Sequence, residues 1–250
     1  MAEFLCGLVS ISFRALTPEQ IISAVKDSGL QAIEWGSDVH VPAGDTDAAK
    51  NVRAMTEAAG LKMPEYGSYH RIGTSAGEKI TDTVSSAHIL GTPIVRLWAF
   101  DRSCRDMTTE QYQTAVNAAI AICKENPDIT FCLECHNNTV TEEYHDTLRF
   151  LQDVGCENLQ MFWQPNQFRD HAYNIEALKA LLPYIHSAHV FAWEGTSRFP
   201  LAAHTDRWTD YLNILKTSEK ETIALMLEFV HDDKPESLAP TAETLLSWVK

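Results

Sequence analysis

The sequence predicts a single (β/α)8 barrel. Apolar runs of strand length alternate with segments of helical period from one end of the chain to the other, and this unit recurs about eight times. A length of 250 residues is typical of one such barrel. No linker rich in proline, glycine or serine divides the chain, so we expect residues 1–250 to form one domain.

Composition and charge narrow the class of function. The chain carries 20 basic and 34 acidic residues, for a net charge of −14, and the basic residues are scattered. We therefore expect no nucleic-acid partner. The longest apolar runs have only strand length, and residues 1–7 lack the basic region of a secretion signal. We expect a cytoplasmic protein with no membrane segment, in which the six cysteines are free thiols.

Local patterns place the elements of the first half. Thr17 is a suitable cap for a helix whose first position is Pro18, and this helix should end near Gly29. Gly60 and Gly91 follow the next two helical patterns, as expected of residues that end helices. The predicted strands are residues 4–13, 32–36, 62–69 and 94–100, and the second and third helices are residues 45–59 and 76–90.

The second half repeats the pattern. The predicted strands are residues 130–135, 159–164, 187–193 and 223–230, and the predicted helices are residues 109–125, 141–154, 174–182, 207–215 and 235–249. The longest stretch without an element is 194–206, after the seventh strand. Long loops on a barrel often carry function.

Four polar residues interrupt the apolar strands near their carboxyl ends: Glu134, Gln164, His189 and Glu228, on strands five to eight. Strands of a closed parallel barrel are buried on both faces and should read as apolar runs. An unpaired buried carboxylate costs several kcal/mol, so such residues need partners. If the large aliphatic residues beside them face the helices, strand alternation turns all four toward the barrel axis.

Two carboxylates, one imidazole and one amide oxygen that meet at one point form a site for a divalent ion, with Mn²⁺, Mg²⁺, Co²⁺ and Zn²⁺ all chemically reasonable. The alternative is that each residue is a separately satisfied buried polar group.

Arg96 on strand four is expected to neutralise buried carboxylates, including Glu34 on strand two.

Short motifs relate the chain to a known family. They are Gly-Leu-Val-Ser-Ile-Ser at 7–12, Ala-Ile-Glu-Trp at 32–35 and Leu-Glu-Phe at 227–229. In these the chain resembles, over essentially its whole length, the xylose-isomerase-like TIM barrels. That superfamily includes ketose 3-epimerases, hydroxypyruvate isomerase, inositol-pathway enzymes and endonuclease IV-type nucleases.

The resemblance implies one divalent ion held by Glu134, Gln164, His189 and Glu228. It also implies a departure from the family pattern, because the usual Asp-x-x-His of strand six reads Gln-Pro-Asn-Gln at 164–167. An amide keeps an oxygen ligand but removes one negative charge. The affinity for metal should therefore fall, and a bound ion should be more electrophilic.

By the same resemblance, the chain is expected to be a sugar isomerase or epimerase that transfers a proton through a metal-stabilised enediolate. Glu134 and Glu228 are the expected acid and base. Residues expected to contact substrate are His70, His136, Gln167 and Arg198.

Two other functions remain open at this point. A lyase or dehydratase would use the same ligands and the same enolate chemistry, whereas a non-catalytic sugar-binding or partner subunit would have a degraded metal site. The expected partner is a small carbohydrate, without phosphate because no glycine-rich phosphate loop is evident. The resemblance is also compatible with a homo-oligomer.

Overall fold

The computed structural model describes residues 1–250 as a closed barrel of eight parallel strands. Strands β1–β8 are, in chain order, Glu3–Val9, Ala32–Gly36, Tyr66–Ile72, Ile94–Ala99, Thr130–Glu134, Leu159–Trp163, Ile185–Val190 and Thr222–Leu227. Strand β1 pairs with both β2 and β8, which closes the cylinder. The predicted single (β/α)8 barrel is confirmed.

Eight helices surround the barrel. Helices α1–α8 are, in chain order, Pro18–Asp27, Thr46–Ala58, Ile80–Leu90, Thr109–Glu125, Tyr144–Val154, His171–Leu181, Thr205–Leu215 and Leu238–Trp248. Helix α1 starts as predicted, because the Thr17 side chain accepts from the Gln20 amide while the Gln20 side chain accepts from the Thr17 amide. Helices α3 and α5 end at Gly91 and Gly155 in the left-handed conformation that glycine adopts without strain.

The strand ends differ from the prediction in two places that affect the site. Strand β3 spans Tyr66–Ile72 rather than residues 62–69, because Pro64 has no amide hydrogen to donate and only Lys62 forms an isolated bridge before it. Strand β7 ends at Val190, and residues 193–198 instead form a small antiparallel hairpin beyond it. His70 therefore lies within a strand, and the seventh loop folds back over the barrel end.

The two faces of the strands pack differently. Leu133, Trp163 and Leu227 belong to the large core between the strands and the helices. Inside the barrel a smaller apolar cluster forms on β1, β2, β8 and the turn after β1, and it contains Val9, Ile11, Ala32, Ala224 and Met226. The interior also holds the buried polar side chains Glu34, Glu65, Arg96, Ser187 and His189. The predicted alternation of strands five to eight is confirmed.

Two expectations from composition concern cysteines and membrane segments. All six cysteines are free, as predicted. None of the helices combines the length and the apolar character needed to cross a bilayer.

Candidate active site and metal centre

The four predicted ligands meet at the carboxyl end of the barrel. Glu134 ends β5, Gln164 follows β6, His189 lies near the end of β7 and Glu228 follows β8, and all four are buried. One ligand atom each from Glu134, His189 and Glu228 lies within 4.8 Å of the other two. Nδ1 of His189 is 3.1 Å from Oε1 of Gln164, 3.5 Å from Oε2 of Glu228 and 3.8 Å from Oε1 of Glu134.

These spacings fit a divalent ion. Ligand atoms bound at about 2.1 Å from a common ion lie about 3 to 4 Å from one another, and the three distances from Nδ1 of His189 fall in this range. The set of three oxygens and one imidazole nitrogen suits Mn²⁺, Mg²⁺, Co²⁺ or Zn²⁺. The residues present therefore fit the group that the sequence implied.

The amide of Gln164 is held in the orientation that a ligand needs. Its Nε2 donates to the carbonyl of Cys135 at 2.8 Å, so Oε1 faces Nδ1 of His189. Gln164 thus presents an oxygen where a carboxylate would, but without the charge.

Glu134 is anchored from one side. Its Oε2 accepts hydrogen bonds from Nη1 of Arg96 at 2.7 Å and from Nε1 of Trp98 at 2.6 Å, while Oε1 faces His189. Nε of Arg96 is also 3.8 Å from Oε1 of Glu34, which confirms the predicted pairing of Arg96 with buried carboxylates. The contact of Trp98 was not anticipated, because an indole inside an apolar strand gives no signal in the sequence.

His189 contacts carboxylates on both sides of its ring. Nε2 is 2.9 Å from Oε2 of Glu34, opposite the predicted ligands. Burial lowers the pKa of His189, but Glu228 and Glu34 together raise this pKa well above its ordinary value. Burial raises the pKa of Glu228, but His189 and Arg96 outweigh burial and lower it. The site is therefore a buried ionic cluster.

A second buried carboxyl lies deeper in the barrel. Oε1 of Glu65 accepts from Oγ of Ser187 at 2.8 Å, whereas Oε2 of Glu65 and Oε1 of Glu34 are buried without a hydrogen-bond partner. Burial, and then the negative charge of Glu34, raise the pKa of Glu65 well above 4.5. A proton held between the two unpartnered oxygens would satisfy both of them. Glu34 was already expected to be a buried carboxylate, whereas the only sequence signal for Glu65 was its place within the predicted third strand.

A cavity of about 120 Å³ opens above the cluster. Its floor contains Glu134, Gln164 and Glu228, and an aromatic wall consists of Phe191, Trp193 and Phe229. Its remaining lining residues are Cys135, His136, Asn137, Glu142, Asn166 and Gln167. The cavity therefore combines an apolar side with many hydrogen-bonding groups.

Two of the residues expected to contact substrate line this cavity, namely His136 and Gln167. Nδ1 of His136 is 2.7 Å from the carbonyl of Asn137, and the ring packs against Trp98 with centroids 4.8 Å apart. Nε2 of His136 makes no hydrogen bond within the protein.

Arg198 and His70 lie outside the cavity lining. Arg198 pairs with Asp233 and packs over the rings of Trp193 and Phe229, at 4.7 and 4.8 Å from their centroids, so it supports the aromatic wall from behind. Nδ1 of His70 is 2.7 Å from the carbonyl of Glu78, and Nε2 is buried without a partner. A contact of either residue with substrate stays a prediction.

Comparisons with known proteins agree with this architecture. Similar solved structures include the probable 3-DHS dehydratase AsbF involved in petrobactin synthesis from Bacillus anthracis, with a TM-score of 0.80 and 19% identity over 98% of this chain and 99% of that one. The IolI protein with a bound zinc atom has a TM-score of 0.74 and 14% identity, covering 99% of this chain and 98% of that one. D-psicose 3-epimerase from Clostridium cellulolyticum H10 has a TM-score of 0.70 and 12% identity, covering 98% and 97%.

These identities are low, so the likeness to solved structures establishes the fold alone. Comparison with curated proteins gives no significant match. The family model of the xylose isomerase-like TIM barrel, however, matches residues 22–250. With this match over most of its length, the chain belongs to the xylose isomerase-like TIM-barrel family.

Proposed function

We propose that the chain is a divalent-metal-dependent enzyme that moves a proton on the carbon beside a carbonyl of a small hydroxylated substrate, as a sugar isomerase or epimerase does. The observation that carries this proposal is the convergence of Glu134, His189 and Glu228 within 4.8 Å, with Glu134 and Glu228 lining the floor of a cavity. Epimerases among the similar structures support the assignment.

Each residue of the ligand set has a role in the proposed reaction. Glu134, Gln164, His189 and Glu228 would hold the ion, which when bound polarises the substrate carbonyl and stabilises negative charge on its oxygen. Glu134 and Glu228 remove and return the proton. The Glu228 carboxylate has its oxygen Oε2 3.5 Å from Nδ1 of His189, whereas Arg96 and Trp98 hold one oxygen of Glu134 by hydrogen bonds. Glu228 is thus the less constrained of the two carboxylates.

The cavity supports an uncharged carbohydrate as substrate. None of its twelve lining residues is lysine or arginine, so nothing in the lining is suited to neutralise a phosphate. Asn137, Asn166 and Gln167 offer amides to hydroxyl groups, and Trp193 offers an apolar face to the carbon chain.

A metal-assisted dehydratase is the second candidate, and His136 favours it. Loss of water requires an acid that protonates the departing hydroxyl group. His136 lines the cavity two residues after Glu134, and its Nε2 is uncommitted, so the imidazolium form would be placed to donate that proton. The likeness to the probable dehydratase AsbF also supports this candidate.

Solvent-deuterium exchange tests the proposal. The Mn²⁺-loaded protein is incubated in D₂O with a panel of unphosphorylated ketoses, and the products are analysed by mass spectrometry and NMR. We expect deuterium in the product without loss of water, whereas product that has lost water would replace the isomerase by the dehydratase. Protein that holds no metal would leave only a non-catalytic binding role.

Site variants extend this test. Glu228→Gln should abolish exchange and keep the fold, while Glu221→Gln, at an exposed position, should exchange at the wild-type rate. Full activity of Glu228→Gln would remove this residue from the proposed acid–base pair.

A further inference from the structure

The structure assigns a positioning role to Glu34: it orients His189 from behind and supplies the negative charge that Gln164 does not bring to the metal centre. This inference rests on the metal site of the proposed function and does not depend on the reaction catalysed there.

The contact between Glu34 and His189 fixes which ring nitrogen faces the ligands. Glu34 lies on β2, is fully buried and reaches across the barrel interior, so that its Oε2 is 2.9 Å from Nε2 of His189. A carboxylate at that distance accepts the Nε2 hydrogen. Nδ1 is then the nitrogen turned toward Glu134, Gln164 and Glu228, and the negative charge behind the ring makes it a stronger donor to a cation.

The neighbours of Glu34 hold it in this position. A Cβ atom on Gly67 of β3 would lie 2.4 Å from Oε1 of Glu34, so only glycine leaves room for the carboxylate. Nε of Arg96 is 3.8 Å from the same oxygen. Glu65, just before β3, lies near enough for the charge of Glu34 to raise its pKa. Gly67, Arg96 and Glu65 thus surround one carboxylate that is not itself among the predicted ligands.

The charges of the interior explain why this carboxylate accompanies an amide at position 164. Glu34, Glu134 and Glu228 carry three negative charges, which Arg96 and a divalent ion would balance, with Gln164 neutral. A carboxylate at position 164 would leave one negative charge without compensation in a largely buried cluster. Glu34 therefore supplies, from behind the histidine, the charge that Gln164 lacks as a direct ligand.

Cobalt binding to the metal-free protein tests the role. Co²⁺ is titrated into wild type and Glu34→Gln, with binding followed by the visible absorption of the ion and by competition with a chelator. We expect Glu34→Gln to bind Co²⁺ about 10- to 100-fold more weakly, as for the loss of other groups that hydrogen-bond a metal-binding histidine. Glu221→Gln is the matched control at an exposed position and should bind as wild type does.

Rescue separates this role from a merely structural one. Gln164→Asp, added to Glu34→Gln, returns the missing charge as a direct ligand, and we expect it to recover most of the lost affinity. Glu34→Asp keeps the charge but shortens the side chain by one methylene, so it should bind more weakly than wild type and gain less from Gln164→Asp. If Glu34→Gln alone does not fold, as judged by circular dichroism, the Co²⁺ affinities of the double variant and of Glu34→Asp are compared with that of wild type instead.

The outcomes for the metal site and for Glu34 are distinct. Wild-type protein that binds no Co²⁺ would overturn the metal site of the proposed function. If wild type binds one Co²⁺ and Glu34→Gln binds it equally tightly, the role of Glu34 is overturned and the proposed function stands. The same holds if the double variant does not recover Co²⁺ affinity.

Discussion

Replacing Glu65 by glutamine tests whether the barrel interior holds a protonated carboxyl. The pKa of Glu65 in the folded chain is well above 4.5, chiefly through burial and then through the charge of Glu34. Because the folded state holds this proton more tightly than the unfolded state, wild-type stability falls as the pH rises from about 4.5 to the folded pKa. The slope in that window is about 1.4 kcal/mol per pH unit.

Glutamine has the same shape and no titrating proton. Its amide can donate to Oε1 of Glu34, and its oxygen can accept from Ser187 as Glu65 does. The unfolding free energy of Glu65→Gln, minus that of wild type, should therefore rise with pH between pH 5 and pH 7, by up to about 1.4 kcal/mol per unit.

Urea unfolding of metal-free protein, followed by circular dichroism at several pH values, measures this difference. Glu221→Gln, exposed and outside the barrel, controls for the loss of one glutamate. A difference between Glu65→Gln and wild type that stays constant across this range would refute the protonated state of Glu65.

Three further substitutions test individual contacts. Arg96→Met removes the cation beside Glu134 and leaves buried carboxylates unpaired, so we expect a loss of about 3 to 5 kcal/mol in unfolding free energy. Urea titration measures this loss, and a loss below about 1 kcal/mol would contradict the pairing. Trp98→Phe removes one donor to Oε2 of Glu134 and should cost about 1.5 to 3 kcal/mol in the same assay, whereas wild-type stability would show that the indole contributes nothing. Thr17→Ala removes the cap of α1 and should lower the unfolding free energy by about 1 kcal/mol, with unchanged metal binding as its control.

Local chemistry made some elements predictable. The start of α1 followed from Thr17 and Pro18, since the capping hydroxyl and the missing amide hydrogen act within one turn. The inward direction of Glu134 and Glu228 followed from strand alternation, because neighbouring leucines had to face the helices. Both arguments need only residues close together in the chain.

Contacts across the barrel were not predictable from the sequence in this way. His189 meets Glu34 although 155 positions separate them, and Ser187 meets Glu65 across 122. Such pairings depend on strand register and side-chain rotamers, which single-strand patterns do not encode. The displacement of β3 toward Ile72 has a related cause, because a strand edge is set by its pairing with β4, which includes a register shift between Gly67 and Arg71.

The most direct measurement of the metal centre is anomalous diffraction from a crystal soaked in Mn²⁺. We expect one strong peak per chain, within about 2.0 to 2.6 Å of ligand atoms from Glu134, Gln164, His189 and Glu228. The absence of a peak between these four side chains would contradict their assignment as one metal site. So would a peak bound elsewhere on the chain.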